Sequence, residues 1–146
     1  MSDDLGIAIL GASSLAKTHA AAWTLTPKCK ERGIISENVD TAEQLAKEYN
    51  SKTYKKYEEA LEDTTVQVVD VCLSSQDSYD VASEALSKGK HLMLKPTVTS
   101  TLEDFDDLTT KAEKMELKVM VDYWSRYSSS TDRTEEMEKV NSSRWL

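Results

Sequence analysis

Short apolar runs alternate along this chain with segments of helical composition, and that alternation limits its possible folds more than any single motif. The runs are LGIAIL (5–10), RGIIS (32–36), an extended piece near Thr53, VQVVDVCL (66–73), KHLML (90–94) and LKVMVDYW (117–124). Between them lie SLAKTHAAAWTL (14–25), DTAEQLAKEYN (40–50), KYEEALED (56–63), SYDVASEALSKG (78–89) and STLEDFDDLTTKAEKM (100–115). Strands joined through helices predict parallel pairing, right-handed crossovers and helices on both faces. With the first strand central, the expected fold class is α/β: an open, doubly wound, mainly parallel sheet in three layers. Ligands on such sheets bind outside the carboxyl ends of the strands. The segments expected to form a site are therefore 10–16, 36–38, 73–78 and 94–97.

Local signals sharpen these elements. Asp40-Thr41 reads as a helix cap, and Ala42, Leu45, Ala46 and Tyr49 share one helical face. Gly89 is placed to stop the fourth helix. The last helix is expected to turn Leu102, Phe105 and Leu108 inward. Past Arg126, YSSSTD reads as a linker and residues 132–140 as one polar helix. The expected division is a domain over 1–128 and a linker with a polar tail over 129–146.

The totals narrow the partners. A chain of 146 residues, 39% hydrophobic and 30% charged, suits one domain with a real core. A net charge of −8 argues against an extended nucleic-acid or anionic-membrane surface, which needs clustered Lys and Arg. A helix N-terminus still offers a local anion site whatever the total charge. Cys29 and Cys72 show no metal or redox spacing; the sequence leaves a disulfide between them open but points to no oxidising compartment. MSDDLG is too short and acidic for a targeting peptide, and no apolar run nears the ~20 residues of a membrane span. A cytoplasmic location is the expectation.

The first strand-to-helix turn, LGASSLA, holds one glycine of the three that a dinucleotide site favours. The first glycine of that pattern makes the tight turn, the second lets backbone approach a pyrophosphate, and the third lets helix and strand pack closely. Gly11 keeps the first role, and Ala16 is a small residue at the third. Ser13 adds a Cβ at the second place, with a hydroxyl able to donate to a phosphate oxygen, and Ser14 is placed to cap the helix. Glu37 lies roughly twenty residues further on, where an acid binds ribose hydroxyls. A carboxylate there repels a 2′-phosphate, so NAD is expected over NADP.

Four segments in order resemble the N-terminal half of the glucose–fructose oxidoreductase / inositol dehydrogenase (Gfo/Idh/MocA) family. They are ILGASSLAKTHAAAW, YKKYEEALEDTTVQVVDVCL, ALSKGKHLMLKP and KVMVDYWSRYS. The resemblance implies a Rossmann-type fold and a cofactor site made of Gly11, Ser13, Ser14, Leu15, Glu37, Leu73, Ser74 and Lys95. It also implies a catalytic role for Lys95, which would polarise a sugar or cyclitol hydroxyl. Departures are visible: Leu73-Ser74 stands for the family's Thr-Pro, and Leu94-Lys95-Pro96 lacks the Glu of Glu-Lys-Pro. Family members are more than twice as long, with a second α+β domain holding the substrate.

The reading that follows is an isolated Rossmann domain that binds a nicotinamide dinucleotide and is catalytically incomplete. The alternatives are a truncated, engineered or degenerate scaffold without ligand, and a module that pairs as a homodimer through an exposed face with Met120, Tyr123, Trp124 and Tyr127. Other residues read as structural. His19 packs or caps, His91 follows the family's Gly-Lys-His, Asp70 is partnered, Asp77 caps the fourth helix, and Trp23 and Trp124 pack at sheet edges. No His, Cys or carboxylate pair has metal-ligand spacing, so no metal is expected.

Overall fold

A computed structural model describes residues 4–73, 75–96, 99 and 101–123, with the backbone only for 75–77. Its elements run β1 (Leu5–Leu10), α1 (Ser14–Leu25), β2 (Cys29–Ile35), α2 (Val39–Glu48), β3 (Lys52–Thr53), α3 (Tyr57–Glu62), β4 (Val68–Val71), α4 (Ser75–Ser87), β5 (His91–Leu94), α5 (Leu102–Lys114) and β6 (Val119–Val121). All described strand pairs are parallel, in the order β3-β2-β1-β4-β5-β6. This is the doubly wound, Rossmann-type sheet the alternation predicts, with β1 and β4 at its centre where the direction of winding reverses.

Strand alternation sorts the core into two layers. Ile7 and Ile9 of β1 enter one cluster with Ala16, Ala20, Ile34, Leu45 and Ala46 of the first half. Ala8 and Leu10 enter the other, with Val69, Val71, Leu86, Leu94 and Leu108. A single strand thus feeds both faces, as the period of two requires. Three helices start on side-chain caps: Ser13 Oγ accepts from Ala16 N, Asn38 Oδ1 from Thr41 N and Thr101 Oγ from Asp104 N. Gly89 leaves α4 at φ +74°, the left-handed geometry glycine adopts freely.

Several details correct the sequence reading. The first helix is capped by Ser13 and not Ser14, and the second by Asn38 and not Asp40. α4 begins at Ser75, so Asp77 lies within its first turn and does not cap it. β2 starts at Cys29, because Lys30 and Glu31 pair with Gly6 and Ile7 although neither reads as apolar. Leu102 is 75% exposed, whereas Leu108 is fully buried. At ~100° per residue the two sit about 120° apart on the helix, so they cannot share one inward face. Trp23 packs over central strands and not at a sheet edge. Met120 and Tyr123 are exposed as expected; Ser74, Trp124, Tyr127 and the 132–140 segment lie outside the described residues. No described helix is long and apolar enough to cross a membrane.

Leu108→Ala should therefore destabilise the domain by ~2–5 kcal/mol, the usual range for emptying a packed leucine site. Leu102→Ala should change stability by less than ~0.5 kcal/mol. Urea denaturation of both variants checks the assignment of α5's inner face.

Candidate functional site

The carboxyl ends of β1, β2, β4 and β5 converge on one edge of the molecule. At its centre Gly11 leaves β1 with φ +112°, a conformation L-residues rarely adopt. Its N–H donates to Ile35 O at 2.6 Å, tying the turn to β2. A Cβ added to Gly11 would lie 2.9 Å from Cys72 O, so space as well as torsion calls for glycine. The chain then passes Ser13 in extended geometry and enters α1 at Ser14. Ala16 is fully buried against the sheet, the close helix–strand contact expected of the third position. The result is a helix N-terminus, with its unpaired N–H groups and positive dipole end, aimed at the point where the winding reverses.

The remaining expected residues fall around this turn in separate places. Glu37, exposed just past β2, and Leu73, just past β4, line one cavity of about 310 Å³ with Leu10, Ile35, Ser36 and Asp80. Ser13 and Ser14 border a smaller hollow of about 180 Å³ beside Lys17, which pairs with Glu48 at 3.0 Å. Leu15 is half-buried against the first-half core. Lys95, past β5, lines a third cavity of about 390 Å³ with Phe105, Val121 and Tyr123. The fold thus spreads Glu37, the Gly11 turn and Lys95 along the strand ends and does not gather them into one pocket.

A polar cluster beneath the turn escaped the sequence reading as an assembly. Asp70, in the middle of β4, has no exposed surface. It faces His19 of α1, whose Nδ1 lies 2.9 and 3.0 Å from its two oxygens, and accepts from Trp23 Nε1 at 2.7 Å. The Cys72 thiol donates to it at 3.4 Å. The far nitrogen of His19, Nε2, lies 3.1 Å from Asp122, just past β6. The hydrogen bond to Asp70 raises the His19 pKa above its ordinary 6.5; burial opposes the rise and Asp122 adds to it. Burial and the adjacent Asp70 push the Cys72 thiol well up, so it remains protonated and is no nucleophile. Both cysteines are free.

Donor atoms of His19, Asp70 and Cys72 also lie within 4.8 Å of one another, a set of ligand types that suits a soft divalent metal. Spacing along the chain could not show this, because the fold assembles the set from two elements. The same atoms hydrogen-bond one another at ordinary distances, so the cluster is chemically complete as a protein network. The signal present in the sequence was Asp70 itself: an acid between valines in a buried strand requires donors.

Removing Asp70 should leave His19 and Trp23 without their buried partner. Asp70→Ala is expected to cost ~3–5 kcal/mol, as for other broken buried pairs. Trp23→Phe, losing one hydrogen bond, should cost ~1–2 kcal/mol. Chemical denaturation at pH 7 checks the order; equal and negligible effects would contradict it.

Several similar proteins are much longer than this chain. An uncharacterized oxidoreductase of Synechocystis sp. is 25% identical over 127 residues, 86% of this chain and 34% of its own length. Glucose-6-phosphate 3-dehydrogenase of Bacillus subtilis is 24% identical over 123 residues, 84% of this chain and 35% of the enzyme. The chain thus spans about a third of these curated relatives. Among solved structures, GenD2 from gentamicin A biosynthesis in complex with NAD superposes with a TM-score of 0.88 at 20% identity, covering 94% of this chain and 39% of GenD2. KijD10, a 3-ketoreductase from Actinomadura kijaniata in complex with NADP, superposes at 0.87 and 19% identity over 93% of this chain and 42% of its own. Residues 5–123 match the oxidoreductase family with an NAD-binding Rossmann fold, and the chain belongs to that family, Gfo/Idh/MocA, as its NAD-binding domain.

Proposed function

We propose that residues 1–128 bind NAD(H) in preference to NADP(H), with residues 129–146 as an appended tail. The observation that carries this reading is the Gly11 turn: a left-handed glycine that no Cβ could replace, opening a helix N-terminus at the reversal point of the sheet. The pyrophosphate would rest on the backbone of Gly11, Ser13, Ser14 and Leu15, the adenosine ribose on Glu37 in the cavity it shares with Leu73, and the nicotinamide end toward Ser74 and Lys95. Complexes of similar proteins contain NAD in one case and NADP in another, so the preference rests on Glu37 alone. Its carboxylate suits ribose hydroxyls and repels a 2′-phosphate.

In a complete oxidoreductase of this family, the nicotinamide supplies hydride transfer. The contribution proposed for this chain is Lys95, whose ammonium would hydrogen-bond a reacting hydroxyl and stabilise developing negative charge. The substrate, a sugar or cyclitol alcohol, would be held by residues beyond the cofactor domain.

Titration followed by nicotinamide fluorescence should show saturable NADH binding at millimolar or tighter dissociation constants, weaker for NADPH. Glu37→Ser should narrow that ratio, and adding Asn38→Arg should narrow or invert it. Because Asn38 caps α2, the second change also costs ~1 kcal/mol of stability, to be checked by melting. Ser13→Gly loses only a few tenths of a kcal/mol as a cap and removes the Cβ nearest the expected phosphate, so NADH should bind more tightly. No saturable binding of either nucleotide would favour the degenerate scaffold. Equal affinities in the unmodified protein would count against the role of Glu37.

A further inference from the structure

The His19 cluster joins three parts of the fold that share no continuous backbone: α1, the centre of β4 and the residue after β6. Both ring nitrogens of His19 face carboxylates, Nδ1 toward Asp70 at 2.9 Å and Nε2 toward Asp122 at 3.1 Å. A neutral imidazole carries one N–H and can satisfy only one of them; the doubly protonated ring donates to both. The ring is only 7% exposed and Asp70 has no exposed surface, whereas Asp122 keeps 18% of its side chain in contact with solvent.

We propose that His19, as an imidazolium, is a positioning residue that latches the end of β6 to α1 and β4, so that loss of its proton frees the edge strand beside Lys95. The structure makes β6 the element to respond. It has three residues and, among the described strands, lies at the edge of the sheet and pairs with β5 alone. Its outer residue Met120 is exposed, and Asp122 N, donating to Leu94 O at 2.7 Å, closes its backbone ladder. Val121 and Tyr123, on either side of Asp122, line the cavity that holds Lys95. Loss of the Asp122 contact would therefore loosen the wall of that cavity while Asp70 keeps its bonds from His19 and Trp23.

The charged and titratable groups facing the ring are few. Asp70 comes from β4, Cys72 from the residue just after it and Asp122 from the residue just after β6. Beyond them, Glu31 of β2 lies within electrostatic reach of Asp70, and Lys95 within reach of Cys72. The Cys72 thiol stays protonated, leaving His19 as the group in this cluster whose proton loss breaks a contact. With its folded pKa raised above 6.5, the latch is complete below that pH and is lost as pH rises through the folded value. It stands independently of dinucleotide binding.

The test uses the full chain, with nitrogen-15 spectra of the histidine rings and amide hydrogen exchange as readouts. His91, whose Nδ1 accepts from Lys118 N, is the internal reference ring. His19 should show the doubly protonated ring at pH 7. Protection of the amides of residues 119–122, relative to β1, should fall as pH rises through the His19 titration and then level. Asp122→Asn should lower that midpoint and flatten the fall; His19→Asn should abolish it, and the Asp122 variant carries the test if the latter does not fold. A neutral single-tautomer ring at pH 7, or flat protection across the His19 titration, would overturn the latch. So would displacement of the Nδ1 proton by equimolar Zn²⁺, which would reassign the cluster as a metal site.

Discussion

The approach of Gly11 to the carbonyl of Cys72 is the contact on which the rest of the arrangement depends. It brings the end of β1 against the end of β4 with no side chain between them, and this spacing lets α1 start directly above the centre of the sheet. From there Ala16 and Ala20 seat the helix on β1, and His19 and Trp23, on the same face, reach Asp70. A bulkier residue at position 11 would have to displace the turn, and with it both the N-terminus of α1 and the buried polar cluster. The Gly11 turn and the Asp70 network are thus two consequences of one close packing.

The two differ in chemistry. The turn is exposed backbone geometry whose worth lies in unpaired N–H groups, and it can serve an anion without any charged side chain. The cluster is a set of satisfied side chains in a dry environment, where each partner is costly to remove. Both are carried by α1, the turn at its start and His19 and Trp23 further along it, so one helix joins the proposed cofactor turn to the buried core.

Much of the fold was legible because strand and helix periods differ and each segment is short. β1 and α1 read correctly to the residue, since β1 is an unbroken apolar run that ends at Gly11 and α1 a stretch of small helix-forming residues that follows Ser13. β2 was read three residues short because Lys30 and Glu31 lie in the strand without apolar character, Glu31 buried with Ser51 as its partner. Leu102 misled because composition shows an apolar residue but not its angle around the helix. The tight turn at Gly11 was legible from a glycine placed between strand and helix. The His19–Asp122 contact spans 103 residues, and nothing in local pattern encodes a pairing that only the order of the sheet creates.

The central claim is that the Gly11 turn is a dinucleotide cradle, and mapping NADH onto the assigned backbone amides tests it most directly. The account predicts saturable shifts centred on the amides of Gly11, Ser13, Ser14 and Leu15, extending to Glu37. The absence of saturable shifts there, or shifts confined to another face of the sheet, would contradict it.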